Sequence, residues 1–203
     1  MPKSQPKLTS IPTPKLAKVL YSEELGIRLN TKRESELFKW FLAAFLFGKR
    51  INESIAKSTW LCFKKSKILS PKEILKAGWH KLVEILDEGG YVRYDFSTAD
   101  RLLEISKTLL ERYGNKPLTR MYREARDSKD LEKKLLELRG VGPITANIFL
   151  RELRHILPKA NPEPLPIVKK LAKKYHVKLP KNRQTRAFVE LEAALIRLRK
   201  LKK

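Results

Sequence analysis

The sequence predicts an all-α fold, and three observations carry that prediction. Apolar residues recur at helical spacing along nearly the whole chain, small polar residues that can cap a helix precede several of these stretches, and Gly or Pro follows them. Tyr91-Val-Arg-Tyr-Asp-Phe96 has the aromatic content of a strand, but no second run is placed to pair with it, so it reads as an ordered loop. The arrangement expected is a two-lobed helical bundle with a cleft between the lobes.

In order along the chain, residues 1–19 contain four Pro, four Lys and no acid, and read as an extended basic arm ahead of one domain over 20–203. Thr31-Lys-Arg-Glu34 has the spacing of a capping box, opening a helix with an apolar stripe of Leu37, Trp40, Phe41, Ala44 and Phe45. Gly48-Lys-Arg50 interrupts it. A second helix starts near Asn52, with Ala56, Trp60 and Phe63 on one face. Ser70-Pro-Lys-Glu73 is another capping box, with Pro in the first turn. Trp79 to Asp87 reads as a short helix ending at Gly89-Gly90. Ser97 caps a long one that Gly114 and Pro117 stop. A helix starts at Ser128, and a Pro-rich connector over 158–166 leads to two basic helices within 165–203.

Lys and Arg number 45 against 22 Asp and Glu, a formal net charge of +23 over 203 residues. Such self-repulsion is offset by a polyanionic partner, of which nucleic acid is the commonest. Residues 169–203 alone hold 13 basic and two acidic side chains, which places a basic face near the end of the chain. Two Gln, one Cys and abundant Lys, Arg and Glu also fit a thermophilic protein. No apolar run has the roughly 20 residues of a membrane span, and the first residues lack a signal peptide's apolar stretch. A soluble, cytoplasmic, nucleoid-associated monomer is the expectation. The single Cys62 excludes an internal disulfide and any cysteine-ligated cluster, and lies in an apolar stretch that suits a buried thiol. The three His residues are scattered, so neither metal nor cofactor is expected.

The informative stretch is Leu138-Arg-Gly-Val-Gly-Pro-Ile-Thr-Ala-Asn-Ile-Phe-Leu150, within a helical hairpin over about 131–155. Gly140 and Gly142 allow a tight turn and close approach of the backbone to another molecule. Val141 can tuck between the helices. Pro143 begins the second helix, whose free N–H groups and positive dipole end suit a phosphate. Arg139, Gly140, Val141, Gly142, Ile144 and Thr145 are therefore candidate DNA contacts, with Arg50 and Arg93 from other loops.

This stretch resembles the helix-hairpin-helix motif, and Thr145-Ala-Asn147 after the turn resembles the endonuclease III superfamily. Gly90-Tyr-Val-Arg-Tyr and the helix around Leu102 to Gly114 are similar to the same family's elements upstream of the hairpin, so the likeness covers roughly residues 30–180. The resemblance implies a protein that grips double-stranded DNA, damaged or mismatched, and flips a base into a pocket. It then cleaves the N-glycosidic bond. Phe47 falls where family members insert a side chain into the gap left by the base, whereas Phe45 belongs to the apolar stripe.

Glycosidic cleavage needs a carboxylate near the sugar, and strand cleavage adds a Lys that forms a Schiff base. The family's Lys position is Ile144 here, so the resemblance implies a monofunctional glycosylase without a lyase step from that place. The family's Asp would fall near Pro164, and no Asp follows Asp130; Glu163 is the nearest carboxylate and the candidate for catalysis. Asp95 and Glu53 are other possible acids, while Glu152 suits an ion pair within its own helix and Asp95 a structural pair with Arg93. Two further functions stay open: an inactive DNA-binding protein recognising bent or damaged duplex, and a helical RNA-binding module.

Overall fold

The computed structural model describes residues 19–198, and within them regular structure consists of α-helix and one short 3-10 turn, with no strand. The all-α prediction holds. The basic arm, apart from Val19, and residues 199–203 lie outside the described residues. The helices are α1 (Tyr21–Glu24), α2 (Glu34–Phe47), α3 (Glu53–Lys65), α4 (Pro71–Glu88), α5 (Asp95–Tyr113), α6 (Pro117–Glu124), α7 (Ser128–Leu136), α8 (Pro143–Leu153), α9 (Pro166–Lys174) and α10 (Arg186–Leu198).

Helix α2 is the centre of the core. Its residues Leu37, Phe38 and Trp40 through Leu46 are all buried, so the expected stripe is an all-round apolar surface. Helices α3, α6 and α8 pack around it, and α4 and α5 form the most extensive helix pair. A helix apolar on every side needs such enclosure, because no face of it is stable in water. Trp40 fixes the register by donating from Nε1 to the Phe149 carbonyl of α8 at 3.0 Å.

Local chemistry departs from the sequence reading at several helix ends. Thr31 does not cap α2; its hydroxyl donates to the Arg28 carbonyl inside the 3-10 turn Leu29–Thr31. Glu34 instead caps α6 from across the core, accepting from the Leu118 and Thr119 N–H groups at 3.0 and 2.8 Å. Pro117 therefore starts a helix as well as following one. The long helix α5 begins at Asp95 rather than after Ser97, whose hydroxyl donates to the Tyr94 carbonyl. Gly78, at φ 71° and ψ 174°, kinks α4, and the segment beyond the kink is the short helix expected from Trp79. Ser70 caps α4 as expected, and Asn52, at the expected start of α3, caps that helix.

Helices α9 and α10 have a small core of their own, formed by Val168, Leu171, Ala172 and Leu195. They are tied to the main body by a fully buried ion pair, in which Arg154 Nη1 at the end of α8 lies 2.9 Å from Glu192 Oε2 of α10. The Arg154 guanidinium also covers the Phe188 ring, 4.9 Å from its centre. The pair is held by charge rather than by aligned hydrogen bonds, since neither Glu192 oxygen has a hydrogen-bond partner. Cys62 is buried, and burial pushes its thiol pKa up.

Candidate active-site cavity and nucleic-acid interface

Helices α7 and α8 are joined by the turn that the two glycines mark. Gly140 has φ +84°, a conformation that favours Gly, and a Cβ there would lie 2.5 Å from Arg101 Cδ. Arg101, on α5, thus lies directly across the turn. Val141 is buried between the helices, as expected. Thr145 is buried too, packed where a Cβ on Gly48 would stand only 2.0 Å from its hydroxyl. Its side chain holds the end of α2 against α8 and is not offered to a partner. What the turn presents outward is backbone: the first-turn N–H groups of Ile144 and Thr145 have no intrahelical acceptor. Ile144 itself is exposed, and Arg139 is exposed but pairs with Glu104 at 2.7 Å.

Beside the hairpin lies a cavity of about 830 Å³, within the roughly 300–1,000 Å³ usual for small-molecule sites. One wall is the α2–α3 turn, with Phe47, Lys49, Arg50 and Glu53. The hairpin helix supplies Ile144, Ile148 and Arg151, and α9 and α10 supply Ile167 and Ile196. Arg151 is buried and stands over the Tyr21 ring at 5.6 Å. Four of the sequence candidates, Phe47, Arg50, Glu53 and Ile144, are therefore brought to one cavity. Phe45 is wholly buried in the core.

Glu53 is the one carboxylate among the residues that line the cavity. It sits in the first turn of α3 and pairs with Lys57 of the next turn at 3.0 Å. Glu163 lies elsewhere. Its side chain is 71% exposed, and it pairs with Arg183 and, at 3.7 Å, with Lys169. The Arg183 hydrogen bond and these positive charges hold its carboxyl below the usual range. Its backbone is the firmer feature: the Glu163 carbonyl accepts from Asn147 Nδ2 at 2.8 Å, and the Pro162 carbonyl accepts from Arg154 Nη2 at 2.9 Å. Asn147 and Arg154 of α8 thereby fix the Pro-rich connector.

The remaining candidates are structural or distant. Glu152 does not pair within its helix as expected; it is buried and accepts from the Tyr21 and Ser22 N–H groups at 3.0 and 2.9 Å, capping α1. Burial drives its pKa up despite these bonds. Arg93 stacks over Tyr94 at 5.5 Å, and Asp95 accepts from the Phe96 N–H at 2.6 Å. Asp95 also faces Asp87, whose pKa is raised by desolvation and by that neighbour. Neither Arg93 nor Asp95 lines the cavity.

Lys49 is the residue that sequence reading passed over. Its Nζ donates to the Gly140 carbonyl at 3.4 Å and lies 5.1 Å from the centre of the Phe45 ring. Burial, and next the positive charge of Arg101, pull its pKa below that of an ordinary lysine. The only hint in the sequence was its place in Gly48-Lys-Arg50, a break between two helices. Among the described residues, no cluster of His, Cys, Asp and Glu is placed to hold a metal, and no helix is long and apolar enough to cross a membrane.

No protein-family model matches the chain, and no solved structure does. The chain is similar to endonuclease III of Thermotoga maritima, with 30% identity over 118 residues, or 58% of this chain and 48% of that protein. It thus spans about half the length of the relative it matches.

Proposed function

We propose that the protein is a DNA glycosylase of base-excision repair, releasing a damaged or mismatched base from double-stranded DNA at the cavity beside the hairpin. The observation that carries this reading is the composition of that cavity. An aromatic residue (Phe47), three cations (Lys49, Arg50 and Arg151) and a carboxylate (Glu53) line it beside the exposed end of a Gly-Val-Gly hairpin. The hairpin's free N–H groups would hold a backbone phosphate, and Arg139 and Arg50 would add charge. Phe47 would fill the gap in the stack, and the flipped base would enter the cavity. The similarity to an endonuclease III supports the same class of chemistry.

Base release in this reading is hydrolytic. As the glycosidic bond breaks, positive charge grows on the sugar, and a carboxylate beside it lowers the barrier while orienting the attacking water. Glu53 is the first choice for this role because it lines the cavity; Glu163, the acid nearest the family's position along the chain, is the second. Ile144 supplies no amine, so the hairpin forms no Schiff base. The protein would act as a monomer and needs no cofactor for these steps.

Incubation with duplexes carrying uracil, a thymine mismatch, 8-oxoguanine, hypoxanthine or alkylated bases tests the reading. A strand break that appears on alkali treatment names the substrate. If every duplex is bound and none is cut, the second reading takes over: a non-catalytic protein that recognises bent or damaged DNA, favoured by Ile144 in place of the family's lysine.

A further inference from the structure

Arg151 is buried in the cavity wall without a polar partner. The residue is 7% exposed, yet among the described residues its guanidinium forms no hydrogen bond and no ion pair. The neighbouring groups are engaged elsewhere. Glu152 already accepts from the Tyr21 and Ser22 N–H groups, and Arg154 has the Pro162 carbonyl and Glu192. Arg151 is backed by the Tyr21 ring, 5.6 Å away, and that ring is fixed in turn through the bond from its own N–H to Glu152. The guanidinium is therefore held in place with its donors unused. Burying donors without acceptors is unfavourable, and a ligand that brings acceptors removes the penalty. The other charges of the wall point the same way, since Lys49, Arg50 and Arg151 face one carboxylate, Glu53. Ile148, Ile167 and Ile196 supply apolar surface for a flat ring.

We propose that Arg151 is the residue that reads the extruded base, selecting a neutral base with a carbonyl oxygen at its edge and refusing a cationic one. This rests on reading the cavity as the place where a flipped base enters. A guanidinium has five donors and no acceptor, so it distinguishes groups by the sign of their hydrogen bonding. Hydrolytic deamination replaces an exocyclic amino group, a donor, with a carbonyl, an acceptor. Arg151 thus meets a partner in uracil or hypoxanthine, and meets a second donor in cytosine or adenine. In hypoxanthine the new carbonyl stands beside N7, the pair of acceptors that an arginine fork matches on guanine. A site built to hydrogen-bond a group rejects the base lacking it, because its own buried donors are then left unpaired. Guanine and thymine carry such a carbonyl too, but in a normal pair they resist extrusion, which a mismatched base does not. Alkylation at a ring nitrogen leaves many bases positively charged, and three cations against one carboxylate oppose that charge. The substrate class is therefore deaminated bases rather than alkylated ones.

The test measures binding, so that no excision is required. The full chain is titrated with duplexes carrying uracil, cytosine or 3-methylcytosine, a cation at neutral pH, each opposite an abasic analogue so that no base pair has to be broken. A 2′-fluoro sugar keeps the glycosidic bond intact. Uracil should bind about tenfold to a hundredfold more tightly than cytosine, the scale of hydrogen bonds to a charged group, and 3-methylcytosine most weakly. In Arg151→Met, similar in length but without donors or charge, the three affinities should converge to within about threefold. Arg151→Lys, which keeps the charge and loses the fork, should still refuse 3-methylcytosine while separating uracil from cytosine less. A role in folding alone would weaken all three duplexes equally and leave their ratios unchanged. Equal binding of the three bases by the wild type overturns the proposal whether or not a variant folds, as do unchanged ratios in Arg151→Met. Failure of the glycosylase reading shows separately, as a cleavable uracil duplex that is bound in preference and never loses its base.

Discussion

The α2–α3 turn and the Pro-rich connector after α8 each bring a carboxylate close to the hairpin, and they treat it in opposite ways. On the turn, Glu53 is drawn into the cavity by the first turn of a helix, with its side chain 23% exposed and one lysine beside it. On the connector, Glu163 points into solvent between Arg183 and Lys169, while its backbone is fastened down by Asn147 and Arg154. The first region holds a side chain at a site and the second holds a backbone in a path. Distance along the chain from the hairpin marks Glu163, whereas distance across the fold marks Glu53. Only the second kind of distance matters to a reacting sugar.

The sharpest way to break this comparison is to neutralise each acid without changing its shape. Glu53→Gln should lower base release by about a hundredfold to a thousandfold, the scale of removing one electrostatic stabiliser, with duplex binding kept. Glu163→Gln should leave the rate within about threefold, since its own side chain is exposed and its charge is already offset by Arg183 and Lys169. Single-turnover excision on whichever lesion is cleaved reads both. If the two variants exchanged these behaviours, the connector rather than the turn would be the catalytic wall.

A structural counterpart tests whether the connector and the helices after it serve as a frame. Glu192→Ala would leave the Arg154 guanidinium buried without its counter-charge. Breaking a buried pair from one side costs about 3–5 kcal/mol. For a chain of this size the melting temperature should fall by roughly 6–20 °C. Replacing both residues together with apolar ones should recover much of that loss, because the desolvation of both charges disappears with the pair. Thermal denaturation followed by circular dichroism distinguishes these outcomes, and a small loss in Glu192→Ala would mean that α10 contributes little to stability through this pair.

Much of this frame could be read from the sequence, for physical reasons that differ by element. The helices α3, α7 and α8 follow from local chemistry, since Asn52, Asp127 and Pro143 act within a few residues of themselves. The Gly-Val-Gly turn was legible because a positive φ at Gly140 leaves few other choices of residue. Glu34 and Glu152 were misjudged because each caps a helix far away in sequence, and side-chain types carry no record of a partner 84 or 131 residues distant. Lys49 was missed for a similar reason. A lysine in a polar helix break looks solvated until α5 and the hairpin close around it.

The hairpin itself can be probed more gently. Gly140→Ala forces a side chain into positive φ and against Arg101 Cδ, which must move. Strain of this kind costs about 1–3 kcal/mol, and here it should appear as weaker DNA binding together with a modest loss of stability. At Gly142 a Cβ meets nothing within 4 Å, so Gly142→Ala should change stability less and isolates the effect of backbone approach to a phosphate. Equal affinity losses in the two variants would mean that strain at Gly140 is not what positions the turn.

The smallest effect concerns pH and lies at the far end of α8. His155 is half-buried, its Nδ1 has no hydrogen-bond partner, and burial followed by the positive charge of Arg186 lowers its pKa below 6.5. In the unfolded chain the imidazole takes up its proton near 6.5, while in the fold it stays neutral to lower pH. At this residue the unfolded state therefore binds more protons in that window, and the contribution of His155 to stability falls as pH drops from about 7 to about 5.5. Carboxylates with lowered pKa values, such as Asp130 held by the Arg126 N–H and guanidinium, lose their contribution only further down, below the ordinary carboxylate range. Urea denaturation at pH 7 and 5.5 should show a smaller difference in His155→Phe than in the wild type. That result would tie the loss to the connection between α8 and the C-terminal pair, since His155 follows directly on Arg154. An unchanged difference would assign it to other groups.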